Sequence, residues 1–146
     1  MSFSHRRRIH FADTDAAGVV FFARYLAICH EAYEEALRAE GIDLNRFFGE
    51  EGIIIPIASA RCDYLRPLHC GDEVEVRLSP TRTAPAEFTL DHEMVSLSNA
   101  GKTVARARTT HVCIDSATRR RKPLPEKFAA WTGEVVVAGT ETGPQT

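Results

Sequence analysis

The chain contains one long segment with helical periodicity, followed by a run of strand-like segments. This order limits the folds that it can adopt. Between about residue 22 and Glu40, apolar side chains recur at spacings of three and four, which predicts one amphipathic helix that stops before Gly41. An alternating apolar and polar segment precedes this helix at residues 3–11. Four more strand-like segments follow it, at residues 53–64, 73–78, 87–97 and 102–114. Turn-forming sequences between them favour antiparallel pairing.

These elements predict an α+β fold built on a single antiparallel β-sheet. In residues 73–78, valines and a leucine alternate with charged side chains, so one face of the sheet is apolar and must be covered. A sheet wrapped around one long central helix meets that need, and this arrangement is the hotdog fold. A loop is expected at residues 45–51 and a short helix at residues 125–131. Because one helix covers only part of such a sheet, we expect a homodimer that joins two sheets edge to edge.

The length of the chain fits one domain. Its 146 residues, with 44% hydrophobic and 26% charged side chains, have the composition of an ordinary globular protein. We expect this domain to span residues 1–137. Residues 138–146 are rich in glycine, threonine and other residues that do not form cores, so a disordered C-terminal tail is expected there.

Charge, hydropathy and cysteine content exclude several classes of protein. A net charge of -2 gives no general attraction for nucleic acid or an anionic membrane. The longest apolar run, residues 52–58, is far below the roughly 20 residues of a membrane span. The four cysteines form no CxxC pair, which favours reduced thiols in a cytoplasmic protein over a zinc site, and no metal is expected.

The segment between the first strand and the helix carries the candidate chemistry. Asp13 and Asp15 lie there, and Gly18 allows the backbone to approach a ligand closely. The first amides of the helix have no intrahelical acceptor and could stabilise the oxyanion formed when a thioester carbonyl is attacked. Asp15 could then act as nucleophile or as general base. The alternative interpretation is that both aspartates are only turn and cap residues.

Residues 12–25 (ADTDAAGVVFFARY) resemble the signature of the 4-hydroxybenzoyl-CoA thioesterase family of hotdog proteins. The resemblance covers roughly residues 7–124. It implies an acyl-CoA thioesterase that needs no cofactor, with Asp15 as the catalytic carboxylate. It also places Gly18 at the site and assigns polarisation of the thioester carbonyl to the backbone amide of Phe22.

Several separated segments are similar to the cyanobacterial and plant-type 1,4-dihydroxy-2-naphthoyl-CoA thioesterases. They are CHEAYE at residues 29–34, HCGD at residues 69–72, ARA at residues 105–107 and THVCI at residues 110–114. This resemblance implies hydrolysis of an aromatic acyl-CoA in naphthoquinone (phylloquinone or menaquinone) biosynthesis. A homodimer that assembles further into a tetramer is expected.

Two positions depart from the family pattern. Relatives of broader specificity often have His or Tyr where Phe22 stands, so only the backbone amide can polarise the carbonyl here. The basic cluster that holds CoA phosphates in the 4-hydroxybenzoyl-CoA enzyme falls near residues 84–87, which are not basic, although Arg82 is close. Arg61, Arg66 or the basic run at residues 119–122 are the alternatives for binding the phosphates.

Two alternative functions must be distinguished from hydrolysis of an aromatic acyl-CoA. The first is a broader-specificity acyl-CoA or acyl-carrier-protein thioesterase, and the second is a non-catalytic acyl-CoA binding module. Asp15 argues against the second, because a carboxylate beside a thioester has little value in simple binding. His30 and His111 could assist catalysis, but they and His69 are expected to be structural. No GxSxG element supports a serine hydrolase.

Overall fold

The computed structural model describes residues 2–50 and 52–136. In chain order its elements are β1 (Phe3–Arg8), a 3-10 turn (Phe11–Asp13), α1 (Phe22–Ala39), α2 (Leu44–Glu50), β2 (Ile53–Ile54), β3 (Ile57–Tyr64), β4 (Glu73–Ala84), β5 (Glu87–Ser96), β6 (Lys102–Val112), β7 (Ile114–Asp115) and α3 (Glu126–Thr132). The C-terminal tail predicted at residues 138–146 lies outside the described residues.

Five of the strands form one antiparallel sheet in the order β1-β4-β5-β6-β3. A separate two-stranded ladder joins β2 to β7. The strand β3 pairs with β6 on one side only and is therefore an edge strand. The sequence prediction of an α+β hotdog fold, with one long helix against an antiparallel sheet, is confirmed.

The helix α1 packs its apolar stripe on the inward face of the sheet. Tyr25, Ile28 and Ala32 from the helix meet inward side chains of the central strands, and all of them belong to one core. In β5, for example, Phe88, Leu90, His92 and Met94 are buried while the residues between them are more exposed. Full burial of a side chain such as Phe88 or Leu90 contributes about 2 kcal/mol, so this interface dominates the stability of the fold.

The end of α1 follows from its glycine, as predicted. Gly41 adopts φ +76°, a conformation that costs a side chain with a Cβ atom. The amide of Ile42 donates to the carbonyl of Leu37 (3.0 Å) and the amide of Gly41 to that of Arg38 (3.0 Å). These two bonds are those of a Schellman motif, which turns the chain away from the helix and buries Ile42.

The strand β4 is longer than predicted, because Pro80 does not end it. The sequence suggested a turn beginning at Pro80, yet β4 continues to Ala84 and Pro80 pairs with Leu90 of β5. Since β1 pairs only with residues 73–78, β4 has no neighbour on that side at Pro80. A proline is tolerated there because no ladder bond is lost.

Other bounds also differ from the prediction. Residues 44–50 form α2 instead of a loop, because the Asp43 carboxylate accepts hydrogen bonds from the amides of Asn45 (3.1 Å) and Arg46 (3.4 Å), as a helix N-cap does. The first strand stops at Arg8. The predicted strand at residues 53–64 is divided into β2 and β3 around Pro56. Within the described ranges, no helix has the length and apolarity needed to cross a bilayer.

Candidate active site

A tight hairpin turn presents Asp15 at the protein surface. The amide of Gly18 donates to the Asp15 carbonyl (3.0 Å), and the Asp15 amide donates to the carbonyl of Val19 (3.0 Å). Gly18 has φ +81°, which matches a type I turn closed by a left-handed residue. The Asp15 carboxylate accepts a 2.8 Å bond from the Ala17 amide through Oδ1. One side of the carboxylate is thus fixed to the turn, and the whole side chain is exposed.

Asp13, two residues earlier, is a buried ionic anchor. Its Oδ2 accepts bonds from Arg7 (3.0 Å) and from the His10 amide (2.8 Å), and its Oδ1 accepts two bonds from Arg24 (2.7 and 3.1 Å). Burial acts to raise the pKa of this carboxyl, but the four hydrogen bonds outweigh it and hold the pKa below its ordinary value. Asp13 therefore ties β1, the turn and α1 together.

The interpretation of the two aspartates as turn and cap residues is correct for their local bonds. Asp15 makes a turn bond, and Asp13 caps the 3-10 turn by accepting the bond from the His10 amide. The N-cap position of α1, however, belongs to Phe21, whose side chain makes no capping bond, and Asp13 also forms ion pairs with Arg7 and Arg24. The sequence signal for this anchor was present in the arginines at positions 7 and 24, but their approach to Asp13 depends on the fold.

The first turn of α1 leaves two amides without partners. The Phe21 amide donates to the Asp13 carbonyl (2.9 Å) and the Arg24 amide to the Phe21 carbonyl (2.9 Å). Between them, the amides of Phe22 and Ala23 make no hydrogen bond within the described part of the chain. Such free donors at the positive end of a helix dipole attract a negative oxygen.

A surface groove of about 450 Å³ brings these groups together. Asp15, Phe22 and Tyr25 line it from the hairpin and α1, while Tyr64 and Arg66 line it from the end of β3 and the residues that follow. Several of its apolar side chains are exposed, with 62% of Phe22 and 46% of Tyr64 accessible, although Tyr25 is buried. The groove thus combines an exposed carboxylate, a residue of α1 with an unpaired amide and an uncovered apolar wall.

Tyr64 joins the two sides of the groove. Its ring lies edge-on to Tyr25 at 5.0 Å, and its hydroxyl donates to the main chain of α1. Desolvation of the phenol oxygen beside α1, with a contribution from Cys62, raises the pKa of Tyr64 to about 12. The hydroxyl is therefore protonated at neutral pH and remains a hydrogen-bond donor.

The other predicted residues are distributed as follows. Arg66 lines the groove, and its guanidinium donates to the Thr103 carbonyl (2.6 Å). Arg61 pairs with Asp63 (3.4 Å) and does not line the groove. Arg82 bonds the Pro85 carbonyl and Arg121 pairs with Glu87, and neither these two residues nor the rest of the run at 119–122 line the groove. His69 lies in a turn and bonds the Asp72 carboxylate through its amide (2.9 Å).

His30 and His111 line a second cavity, of about 140 Å³, between α1 and strands β3, β5 and β6. Two residues of this cavity, His92 and Thr109, were not identified from the sequence. The Thr109 hydroxyl contacts Nε2 of His111 (2.8 Å) and Nε2 of His92 (3.4 Å). In the described ranges, no group of three or more His, Cys, Asp or Glu side chains could hold a metal ion.

Comparison with known proteins gives a consistent result. The family model described as the thioesterase-like superfamily matches residues 9–132. A 1,4-dihydroxy-2-naphthoyl-CoA hydrolase from Synechococcus elongatus is 48% identical over 130 residues, which cover 88% of this chain and 93% of that protein. The crystal structure of a 1,4-dihydroxy-2-naphthoyl-CoA thioesterase from Synechocystis is 36% identical with a TM-score of 0.87, covering 90% of this chain and 96% of that one. A gentisyl-coenzyme A thioesterase is 26% identical with a TM-score of 0.78, covering 90% and 100%.

Proposed function

Because this chain belongs to the thioesterase-like superfamily, we propose that it hydrolyses 1,4-dihydroxy-2-naphthoyl-CoA to 1,4-dihydroxy-2-naphthoate and CoA. The observation that carries the substrate is the 48% identity to the Synechococcus hydrolase over nearly the whole chain. The product is the acid required for naphthoquinone biosynthesis, and we place the reaction in the cytoplasm. The cysteines of the chain are free thiols, in keeping with a reducing compartment.

The proposed chemistry uses Asp15 and the start of α1. The thioester carbonyl oxygen accepts a hydrogen bond from the Phe22 amide, and the helix dipole stabilises the charge that develops on this oxygen. The Asp15 carboxylate then has two routes. It either attacks the carbonyl carbon and expels the CoA thiolate, giving a mixed anhydride that water cleaves, or it removes a proton from the water that attacks. Gly18 keeps the turn that presents the carboxylate.

Asp15→Asn tests the catalytic role without removing the turn. The asparagine carbonyl can still accept the bond from Ala17, so the hairpin stays folded while the negative charge is lost. We expect kcat to fall by roughly 10²- to 10⁴-fold, measured as CoA release. Retention of most activity would reject Asp15 as the catalyst.

Asp115 offers a matched control. It forms a similar turn on β7, where its carboxylate accepts bonds from the amides of Ala117 (2.9 Å) and Thr118 (2.8 Å). Asp115→Asn makes the same chemical change outside the groove, so full activity is expected. A comparable loss in both variants would indicate a folding effect.

A substrate panel tests the acyl group. We expect 1,4-dihydroxy-2-naphthoyl-CoA to have a higher kcat/KM than 4-hydroxybenzoyl-CoA, short aliphatic acyl-CoA esters and acyl-carrier-protein thioesters. If the naphthoyl ester is among the poorest substrates, a broader-specificity thioesterase is the better description. Binding of the esters without release of CoA would instead indicate a non-catalytic module.

The proposed homodimer forms along the free edge of β3. Ile57, Tyr64 and Leu65, in this strand and just after it, are 44–47% exposed although they are large and apolar. A free edge beside exposed apolar side chains favours pairing with a second copy. Such a copy would also cover the apolar wall of the Asp15 groove, and two dimers would form the expected tetramer. Sedimentation velocity should give a dimer or tetramer, and a monomer at micromolar concentration would contradict this proposal.

Arg66 is the cation proposed to bind CoA phosphate, because it lines the same groove as Asp15. Replacing it with alanine should raise KM several-fold with a smaller change in kcat, since the phosphate lies far from the reacting bond. Arg61→Ala, on β3 just before Arg66 but outside the groove, is the control. Equal effects of the two variants would argue against a specific phosphate contact.

A further inference from the structure

The cavity between α1 and the sheet contains polar groups that the fold itself does not use. His92 is 4% exposed and His111 is 1% exposed, and both line the cavity. In the described chain, Nδ1 of each ring is buried and has no hydrogen-bond partner. Buried polar atoms without partners are rare in native proteins and call for an explanation. Two histidines that carry such atoms line one cavity, which suggests a ligand that supplies the missing bonds.

The hydrogen-bonding capacity of the two Nδ1 atoms depends on Thr109, whose hydroxyl contacts both histidines. Burial lowers the pKa of both histidines to about 4, so each ring is neutral at pH 7 and carries one proton. The Thr109 hydroxyl touches both Nε2 atoms. A hydroxyl satisfies both contacts when it donates to one Nε2 and accepts from the other. One histidine then has a protonated Nδ1 and the other an Nδ1 with a free lone pair.

A phenolic hydroxyl matches this pair of groups, because it both donates and accepts. The remaining walls suit an aromatic ring. Leu26 and Leu90 line the cavity, and Tyr33 lies against His111 with ring centroids 4.9 Å apart. The volume of about 140 Å³ is close to that of cavities known to admit one benzene ring. The cavity therefore has room for one six-membered ring with a polar substituent.

The cavity lies along α1 from the groove that contains Asp15. Phe22 lines the groove and Leu26 lines the cavity, which places them one turn of α1 apart, a rise of about 6 Å. On the edge strand, Tyr64 lines the groove and Ala60 the cavity in the same way. An acyl group whose thioester lies at Phe22 and that follows α1 by one turn would reach the cavity lined by His92 and His111.

We infer that this cavity is the acyl-ring subsite, and that Nδ1 of His92 and Nδ1 of His111 recognise a ring hydroxyl remote from the thioester. The inference rests on the proposed function and adds the residues that select the substrate. Thr109 is a positioning residue, since its hydroxyl contacts both Nε2 atoms and orients the two imidazoles. The subsite would favour hydroxylated aromatic acyl groups over aliphatic or unsubstituted aromatic ones, because an acyl group without the hydroxyl leaves both nitrogens unpaired.

A matched pair of esters tests the subsite. The kcat/KM ratio of 1,4-dihydroxy-2-naphthoyl-CoA to 1-hydroxy-2-naphthoyl-CoA, which lacks the remote hydroxyl, measures hydroxyl recognition. In the wild type we expect this ratio to be about tenfold or more. His92→Leu should bring it close to one. His92→Asn retains a polar group near the position of Nδ1 and should restore part of the preference.

Thr109→Val and Thr110→Val provide the control. The two threonines are adjacent on β6, but Thr109 faces the cavity and Thr110 pairs with Ser59 and Thr89 on the other face of the sheet. Thr109→Val should reduce the ratio and Thr110→Val should leave it unchanged. If His92→Leu and Thr109→Val change both esters equally, the subsite assignment is wrong although the hydrolase activity stands.

A binding measurement separates failure of the subsite from failure of the proposed function. The ¹⁵N shifts of the imidazole nitrogens are recorded while 1,4-dihydroxy-2-naphthoate is added to the wild-type protein. Shifts at His92 and His111 that are absent with 1-hydroxy-2-naphthoate would support hydroxyl recognition even if neither ester were hydrolysed. No difference between the two acids would overturn it, whatever the activity.

Discussion

The hydroxyl of Tyr64 donates a 2.9 Å hydrogen bond to the carbonyl oxygen of Phe22. This bond joins the last residue of the edge strand β3 to the first residue of α1. Because the same residue of α1 carries the proposed oxyanion donor, Tyr64 holds the peptide groups at the start of the helix in place. The position of that amide relative to the groove thus depends on a contact from outside the helix.

Tyr64→Phe should therefore weaken catalysis more than it weakens the fold. A neutral, partly exposed hydrogen bond contributes about 1 kcal/mol to stability, so the free energy of unfolding should change little in urea titrations. A severalfold loss of kcat/KM is expected, because small displacements of an oxyanion donor reduce the rate. A loss of stability of several kcal/mol without a change in rate would show that Tyr64 has only a structural role.

Phe22→Pro should remove the oxyanion donor and leave the helix intact. Residue 22 is the first residue of α1, where proline is favoured, and Phe21 has φ -62° and ψ 136°, a conformation compatible with a following proline. We expect kcat to fall by roughly 10²- to 10³-fold while circular dichroism is unchanged.

The matched variant for this test is Phe22→Ala, which removes the exposed side chain but keeps the amide. Its kcat should stay within a few-fold of the wild type. If proline and alanine reduce the rate equally, the side chain and not the backbone supports the reaction, and the amide assignment fails.

Asp13→Ala should destabilise the protein strongly. Among the described residues, removal of the carboxylate leaves the largely buried guanidinium of Arg7 with the 3.5 Å contact to Glu31 alone and releases Arg24 from the turn. Loss of one partner from a buried ion pair costs about 3–5 kcal/mol. Asp63→Ala breaks the exposed contact to Arg61 and should cost at most about 1 kcal/mol. Equal unfolding midpoints for the two variants would contradict the anchoring role of Asp13.

The buried histidines predict a loss of stability in mild acid. Unfolded His92 and His111 take up a proton near pH 6.5, whereas in the folded protein burial keeps both neutral down to about pH 4. The unfolded state therefore binds more protons in this interval, and the free energy of unfolding falls as pH drops from about 6.5 to 4, by on the order of 3 kcal/mol for each histidine. Above pH 6.5 the full stability is present.

Urea titrations between pH 4 and pH 8 measure this effect. His92→Leu should remove part of the pH dependence in that interval. Asp13 contributes little to this slope, because its pKa is lowered from 3.8 and most of its contribution is lost below pH 4. If the wild type and His92→Leu have the same slope, His92 is protonated in the folded protein.

Periodicity was enough to predict the long helix, its end at Gly41 and the antiparallel strands, because these depend on local patterns of apolar residues. It misplaced the end of β4, since a proline is tolerated there only because the neighbouring strand β1 is short. Strand length in that case depends on the order of strands in the sheet, which a single sequence does not specify.

The candidate site was predictable where its parts are close in sequence. Asp15, Gly18 and Phe22 lie within eight residues and the structure brings them together at one turn and one helix start. Tyr64, His92 and Thr109 come from three different strands, and nothing in their local sequence indicates which cavity they line. Their contribution depends on strand register, because a shift of one residue would turn each side chain to the opposite face.

The groove of this protein presents its proposed oxyanion donor from the main chain at position 22. A main-chain donor is encoded by every residue type except proline, so mutation at this position can reshape the apolar wall of the groove without deleting the donor. At position 22 the side chain can therefore change substrate preference while the main-chain amide continues to activate the carbonyl. For laboratory evolution, position 22 is thus a site where saturation mutagenesis should yield altered acyl selectivity among variants that still turn over.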